Sequence, residues 1–231
     1  MDVTSVRAVI IDLDGTLMDT AGEISAAMAR TLDELKLPRV PAREVETMIG
    51  RGVSKLVERV LARIGARHLD LDATVARFEA HYAQTVGTSA VLFPGAMEGL
   101  ARLDQAGLSL ALVTNKPRFF TEQLLARAQV ARFFAAIVAG DDGVKKKPAG
   151  DMLEAACRAM GSAPAATLMV GDSDNDVAAA RAAGCPVWCV PYGYNEGRPA
   201  ETLACDRLVA SIAEAAALLA PESLRQLPRA G

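Results

Sequence analysis

The chain is sparing in the residues that hold soft metals, with four cysteines and two histidines among 231 residues. Cys185 and Cys189 stand close together, but His68 and His81 lie far upstream, so no tetrahedral zinc set is spelled out. Charge of one sign is lacking as well. Lys+Arg 25 against Asp+Glu 28 leaves a formal charge of −3, which excludes an electrostatic pull toward nucleic acid or an anionic membrane. Long hydrophobic runs are missing too: the apolar stretches fall well short of the roughly 20 residues a helix needs to cross a bilayer. Ala8-Val9-Ile10-Ile11 is the only apolar stretch before Asp12 and Asp14, so no signal peptide is expected. Repeats and low-complexity tracts are absent, although Ala-rich segments are frequent. These absences point to a cytoplasmic protein with reduced, partly buried thiols. What is plentiful is hydrophobic side chain, 51% of the chain. That is enough for one large domain, or for a core domain with a smaller insert.

Within this background the stretch Asp12-Leu13-Asp14-Gly15-Thr16 stands out, directly behind the apolar run 8–11. Two carboxylates two positions apart on an extended backbone point the same way. Here they sit where a buried strand ends and a glycine lets the chain turn. Such a pair is electrostatically costly. A bound cation offsets the cost and leaves one acid to serve as nucleophile or proton carrier.

Val6 to Asp12 reads as a strand. From residue 21 to 86 the spacing becomes helical, in three stripes: Ile24, Met28, Leu32, Leu35; then Val53, Leu56, Val57, Val60, Leu61, Ile64; then Leu71, Val75, Phe78, Tyr82, Val86. Pro38 and Pro41 separate the first helix from the next. After Phe93-Pro94-Gly95 helix and strand alternate. Helices are expected over 97–105, 118–128, 151–160, 174–183 and 212–219, and strands over 108–113, 136–139, 167–170, 186–190 and 207–209. That rhythm predicts an α/β fold, a parallel sheet with helices on both faces. The expected organisation is a Rossmann-like core, residues 1–17 and 90–231, interrupted by a helical cap, residues 18–89. From Pro221 onward the chain reads as a loose tail.

Ligands of open α/β sheets sit outside the carboxyl ends of the strands. The predicted strand ends carry Asp12-x-Asp14, Thr114-Asn115, Asp141-Asp142 followed by Lys145-Lys146-Lys147-Pro148, and Gly171-Asp172-Ser173-Asp174-Asn175-Asp176. The set suits phosphoryl transfer. Carboxylates hold Mg²⁺, which bridges to phosphoryl oxygens, and a lysine with hydroxyl or amide donors neutralises the rest. One aspartate can attack phosphorus while the other moves the proton.

In this order, Asp12-x-Asp14-Gly15-Thr16, Thr114-Asn115, Lys147-Pro148 and Gly171-Asp172-Ser173-x-x-Asp176 resemble the four motifs of the haloacid dehalogenase-like hydrolases. The helical insert resembles that family's type-1 cap. The resemblance implies a Mg²⁺-dependent phosphomonoesterase that works through an aspartyl-phosphate. It makes Asp12 the nucleophile and, with Asp172, a metal ligand. Asp14 becomes the general acid/base and lends the metal its main-chain carbonyl. Thr114, Asn115 and Lys147 bind phosphate, and Asp176 supports the metal and its waters. An acid at position 14 argues against dehalogenation, because the dehalogenating branch lacks one there. The region Val190-Pro191-Tyr192-Gly193-Tyr194-Asn195-Glu196-Gly197, with Cys205-Asp206 beyond it, is similar to that of bacterial phosphoglycolate phosphatases, as is Ile49-Gly50-Arg51-Gly52. The substrate implied is 2-phosphoglycolate. Pyrophosphate, another small phosphorylated metabolite and a phosphomutase reaction are the alternatives within the family. A non-catalytic phosphate sensor would require a lost catalytic group, and all four motifs are complete.

Plainer readings apply to other residues. The run 172–176 also fits helix capping. Asp141 and Asp142 read as polar loop, Lys145 and Lys146 as solvated charges, and His68 and His81 as surface. Tyr192 and Tyr194 read as packing and loop-closure residues. Arg51 and Lys55 can reach a substrate carboxylate from the cap, against the commoner reading of exposed cations; of the two, Arg51 is the candidate. The expected partner is a small phosphorylated metabolite, with neither nucleic acid nor membrane, and the protein is expected to be a monomer or homodimer.

Overall fold

The computed structural model describes residues 3–220, so the tail expected from Pro221 lies outside the described residues. Strand β1 (Ala8–Ile11) is apolar at every position and fully buried, without the alternation of a half-solvated strand. A strand of this kind belongs in the middle of a parallel sheet covered on both faces. It is there: with β4 (Ser109–Val113), β5 (Ala136–Val138), β6 (Thr167–Gly171), β7 (Val187–Cys189) and β8 (Arg207–Leu208), the sheet order is β5-β4-β1-β6-β7-β8. Every pairing is parallel, with Ala8 opposite both Ser109 and Thr167.

The period of two sorts the strand residues into two layers. Val9, Ile11, Leu110, Leu112, Leu168 and Val170 join the layer that holds Leu100 and Leu103 of α5 (Ala96–Gln105), Leu124 and Leu125 of α6 (Arg118–Arg127), and Ile212 and Ala216 of α9 (Ile212–Leu219). Ile10, Ala111, Val113 and Met169 face Met152, Leu153 and Ala156 of α7 (Asp151–Met160) and Val177 and Ala180 of α8 (Asp174–Ala183).

Between β1 and β4 the chain leaves the sheet through β2 (Met18–Asp19) and returns through β3 (Val91–Leu92), which pair antiparallel. Sequence periodicity misses this ribbon because two residues per strand carry no readable period. The ribbon ties residues 18–19, placed in the cap by the sequence, to 91–92, placed in the core. Between its strands lie α1 (Ala21–Glu34), α2 (Ala42–Glu46), α3 (Val53–Arg63) and α4 (Leu71–Ala83). Helix α2, also missed, starts directly after Pro41, whose fixed φ suits a helix start. The three apolar stripes meet as Ile24, Met28 and Leu32, Leu56, Val57, Val60 and Leu61, and Phe78 and Tyr82, in a cluster continuous with one face of the sheet. Glu23 is buried among them yet satisfied. It accepts from Tyr82 Oη at 2.8 Å and from the backbone N–H groups of Gly87 at 2.8 Å and Ala90 at 3.2 Å. Among the described residues no helix is long and apolar enough to cross a membrane.

Candidate active site

The central strand and its neighbours deliver their carboxyl-terminal residues to one edge of the sheet. Asp12 is buried, and its Oδ1 accepts from Leu13 N–H at 2.8 Å and pairs with Lys147 Nζ at 2.8 Å. The same ammonium donates to Asp176 Oδ1 at 2.7 Å and to the Val113 carbonyl at 3.1 Å. Asp176 is fully buried; its second oxygen accepts from Asp172 N and Ser173 N, each at 3.1 Å, and from Ser173 Oγ at 2.7 Å. It therefore caps α8 and grips Lys147 at once, so capping does not exclude the chemical reading of the run 172–176. Asp172 accepts from Thr16 Oγ1 at 2.7 Å and from Tyr194 N–H at 2.8 Å. Two glycines make room for it. Gly15 has φ +86°, and a Cβ there would stand 2.6 Å from Asp172 Oδ2; a Cβ on Gly193 would stand 2.1 Å from Asp172 Cβ.

Oxygens of Asp12, Asp172 and Asp176 lie within 4.8 Å of one another, all three residues buried. Two of these carboxylates, those of Asp12 and Asp176, pair with the one ammonium of Lys147. Burial, reinforced by Asp176 and Asp172 and opposed by Lys147, holds the Asp12 carboxyl well above the usual carboxylate range. Burial and then the Asp176 charge push Asp172 up to about 7. Burial works against the Lys147 charge, yet Asp12 and Asp176 outweigh it and hold the ammonium above its ordinary value. A buried all-oxygen cluster with excess negative charge fits a hard divalent cation.

Asp14 faces elsewhere. Its Oδ1 accepts from Thr20 Oγ1 at 2.6 Å, and both its oxygens contact Lys116 Nζ, at 2.9 and 3.1 Å. Lys116, a residue the sequence reading passes over, is buried with its ammonium 4.9 Å from the Tyr82 ring centroid. Its only sequence signal is adjacency to Thr114-Asn115. Thr114 is buried, and its hydroxyl accepts from Lys116 N–H at 3.2 Å. The Asn115 side chain is spent on the protein itself. Nδ2 donates to the carbonyls of Gly50 (3.0 Å) and Lys147 (2.9 Å), and Oδ1 accepts from Lys147 N–H (2.9 Å). Asn175, hidden among its acidic neighbours in sequence, adds a second donor to the Gly50 carbonyl at 3.4 Å.

Arg51 is not brought to this cluster. It pairs at 2.9 Å with Glu196, which also takes Arg59 at 2.5 Å, so two insert cations meet one acid of the loop after β7. Lys55 pairs with Glu58 on its own helix. The two tyrosines are polar ties. Tyr194 Oη accepts from Thr20 N and Ala21 N, at 2.8 and 2.9 Å, and donates to Asp19 at 3.1 Å; Tyr192 Oη donates to the Thr16 carbonyl at 3.0 Å. Asp142 pairs with Arg118 and accepts from Ala139 N–H, a loop role as expected.

Beside the acids lies a cavity of about 40 Å³, room for some three waters. The sheet side supplies Asp12, Asp14, Thr114, Asn115 and Lys116; the insert supplies Ile24, Ile49, Gly50, Gly52, Val53, Leu56, Phe78 and Tyr82. A parallel α/β sheet carrying clustered acids and a lysine at its carboxyl edge, roofed by a helical insert, defines a hydrolase of Rossmann-like build. Residues 6–184 match the haloacid dehalogenase-like hydrolases, and the chain belongs to that family. It is 43% identical over 219 residues to a phosphoglycolate phosphatase of Thiobacillus denitrificans, covering 93% of this chain and 96% of that one. It is 46% identical over 220 residues to a plasmid phosphoglycolate phosphatase of Cupriavidus necator, covering 94% of each. Among solved structures, one described as a predicted phosphoglycolate phosphatase from Haemophilus somnus superposes with a TM-score of 0.88 at 28% identity, covering 93% of this chain and 98% of that one.

Proposed function

We propose that this hydrolase is a Mg²⁺-dependent phosphoglycolate phosphatase, cytoplasmic, whose cap is the helical insert of residues 18–89. The observation that carries the chemistry is the buried Asp12–Asp172–Asp176 cluster around Lys147. The substrate rests on the relatives' names. Asp12 and Asp172 would hold Mg²⁺. Asp14 would lend its main-chain carbonyl, which leaves its side chain, held by Thr20 and Lys116, for the proton. Bound there, the cation would neutralise phosphoryl charge and let a dianion approach the acids.

The remaining work belongs to the chain. Asp12, at the end of a strand buried on both faces, attacks phosphorus. The bond to the glycolate oxygen breaks as that to Asp12 forms, and Asp14 protonates the departing alkoxide. Asp14 then takes a proton from water as its oxygen attacks the aspartyl-phosphate, which releases phosphate and restores Asp12. Lys147 favours the ionised form of Asp12 against burial and aims it, and Thr114 contributes a hydroxyl to the phosphoryl oxygens. Asn115 serves mainly by fixing the backbone of Lys147. Asp176 orients Lys147 and completes the acidic shell. The insert excludes water from the reacting centre.

A phosphate-release panel with Mg²⁺ tests this reading. Phosphoglycolate is expected to give the highest kcat/KM, above pyrophosphate, sugar phosphates and aryl phosphate. A higher value for pyrophosphate, or isomerised sugar phosphate without released phosphate, would replace it.

A further inference from the structure

We infer that Lys116 is the residue that recognises the carboxylate of the substrate. The inference rests on the phosphoglycolate reading above and adds to it the group that sets specificity. A substrate of this class carries an anion at each end. The phosphoryl end would meet Lys147 and the cation that the acidic cluster would hold; the carboxylate, one methylene beyond the ester oxygen, needs a counter-charge of its own in the cavity. Among the described residues that line the cavity, Lys116 is the sole cation. Arg51, the obvious choice from sequence, is turned to Glu196 and does not line it.

The position of the ammonium suits the task. It touches Asp14, the acid that must stand next to the ester oxygen, so it lies one short step from where a two-carbon leaving group ends. An ammonium has three protons and no fixed fork. Two contacts go to the Asp14 oxygens, and among the described residues the Tyr82 ring, 4.9 Å away, adds a weak partner that a carboxylate displaces with gain. The rest of the roof, Ile24, Ile49, Val53, Leu56 and Phe78, offers an anion nothing. In so apolar a site a single charged contact discriminates strongly.

The test compares 2-phosphoglycolate with ethyl phosphate, the same ester with a methyl group in place of the carboxylate, on the wild type and on Lys116→Met. The ratio of the two kcat/KM values is expected to fall by roughly 30-fold in the variant, the loss that goes with removing a hydrogen bond to a charged group. Turnover of ethyl phosphate reports in the same preparation that the site is assembled. If both substrates lose activity by the same factor, Lys116 only positions Asp14 and the inference is overturned, while the phosphatase reading stands. If the wild type itself shows no preference for phosphoglycolate, the substrate reading fails first. Should Lys116→Met turn over neither ester, calorimetric affinities settle the matter. Asp12→Asn and Asp12→Asn/Lys116→Met are then compared on both esters, and an unchanged ratio of affinities overturns the assignment.

Discussion

The two walls of the cavity are built on different principles. The sheet wall is crowded with charge: Asp12, Asp14 and Lys116 line it, with Lys147, Asp172 and Asp176 directly behind. The insert wall contributes no charged side chain among the described lining residues, only aliphatic and aromatic groups and the backbone of Gly50 and Gly52. Buried charge is tolerable where the surroundings hold it rigidly, and a strand end anchored on both sides does so. The insert holds its own buried acid, Glu23, with Tyr82, Gly87 and Ala90, away from the cavity lining. It supplies shape and dryness, and even its docking to the site uses a backbone carbonyl, that of Gly50, held by Asn115 and Asn175. Its charged contacts with the core, Arg51 and Arg59 on Glu196, lie on the solvent side.

The division can be broken at several places. The largest effect belongs to Asp12→Asn, which removes the proposed nucleophile while keeping the shape of the side chain. Phosphate release is expected to fall by about 10⁴-fold or more, with an unchanged far-UV circular dichroism spectrum. Retained turnover would transfer the nucleophile to another acid.

A second effect separates the walls by pH. In metal-free protein the Asp172 carboxyl is held near 7 by burial and Asp176. An acid whose pKa is higher folded than unfolded costs stability as it ionises: the cost is absent below about pH 4, grows to about pH 7 and is complete above. The melting temperature in EDTA should therefore fall between pH 5 and pH 8. Mg²⁺ should restore more at pH 8 than at pH 5, by roughly 5 °C. Equal gains at both pH values would put the ion outside the acidic cluster.

Next comes the ribbon that joins the regions. Tyr194→Phe strips a hydroxyl from two buried backbone N–H groups and Asp19, and calorimetry should register a loss of about 1–3 kcal/mol. A loss under a few tenths would mean that water replaces the hydroxyl. The smallest effect is Arg51→Ala. Its pair with Glu196 is part-exposed, and such pairs contribute only about 0–1 kcal/mol. KM for phosphoglycolate and for an aryl phosphate should both change by less than about twofold. A selective rise for phosphoglycolate would move Arg51 into the cavity and give the insert wall a charge after all.

How far the sequence could be read follows the same division. Strands β1, β4 and β6 are short and mostly apolar and run directly into polar residues, so period and chemistry coincide at Asp12, Thr114 and Asp172, with Lys147 in the loop after β5. The three insert stripes were legible because helices of ten or more residues repeat their pattern. The partnerships were not. Lys116 opens the way into α6 and looks like any surface cation; its burial depends on Tyr82, brought over by the insert. Arg51 could not be told from a pocket residue until Glu196 closed on it from the far end of the chain. Ribbon β2–β3 is set by tertiary pairing alone, with Leu17 C=O also receiving Phe93 N–H at 3.1 Å.

The central place of β1 has a consequence for how the enzyme comes into being. Its left and right neighbours, β4 and β6, are made long after it, and the hydrogen bond from Thr16 to Asp172 closes across 156 positions. During synthesis Asp12 emerges early and waits, without its acidic companions, until β6 has docked. The acidic cluster is thus a late assembly: Asp12 meets Asp172 and Asp176 only once β6 lies beside β1.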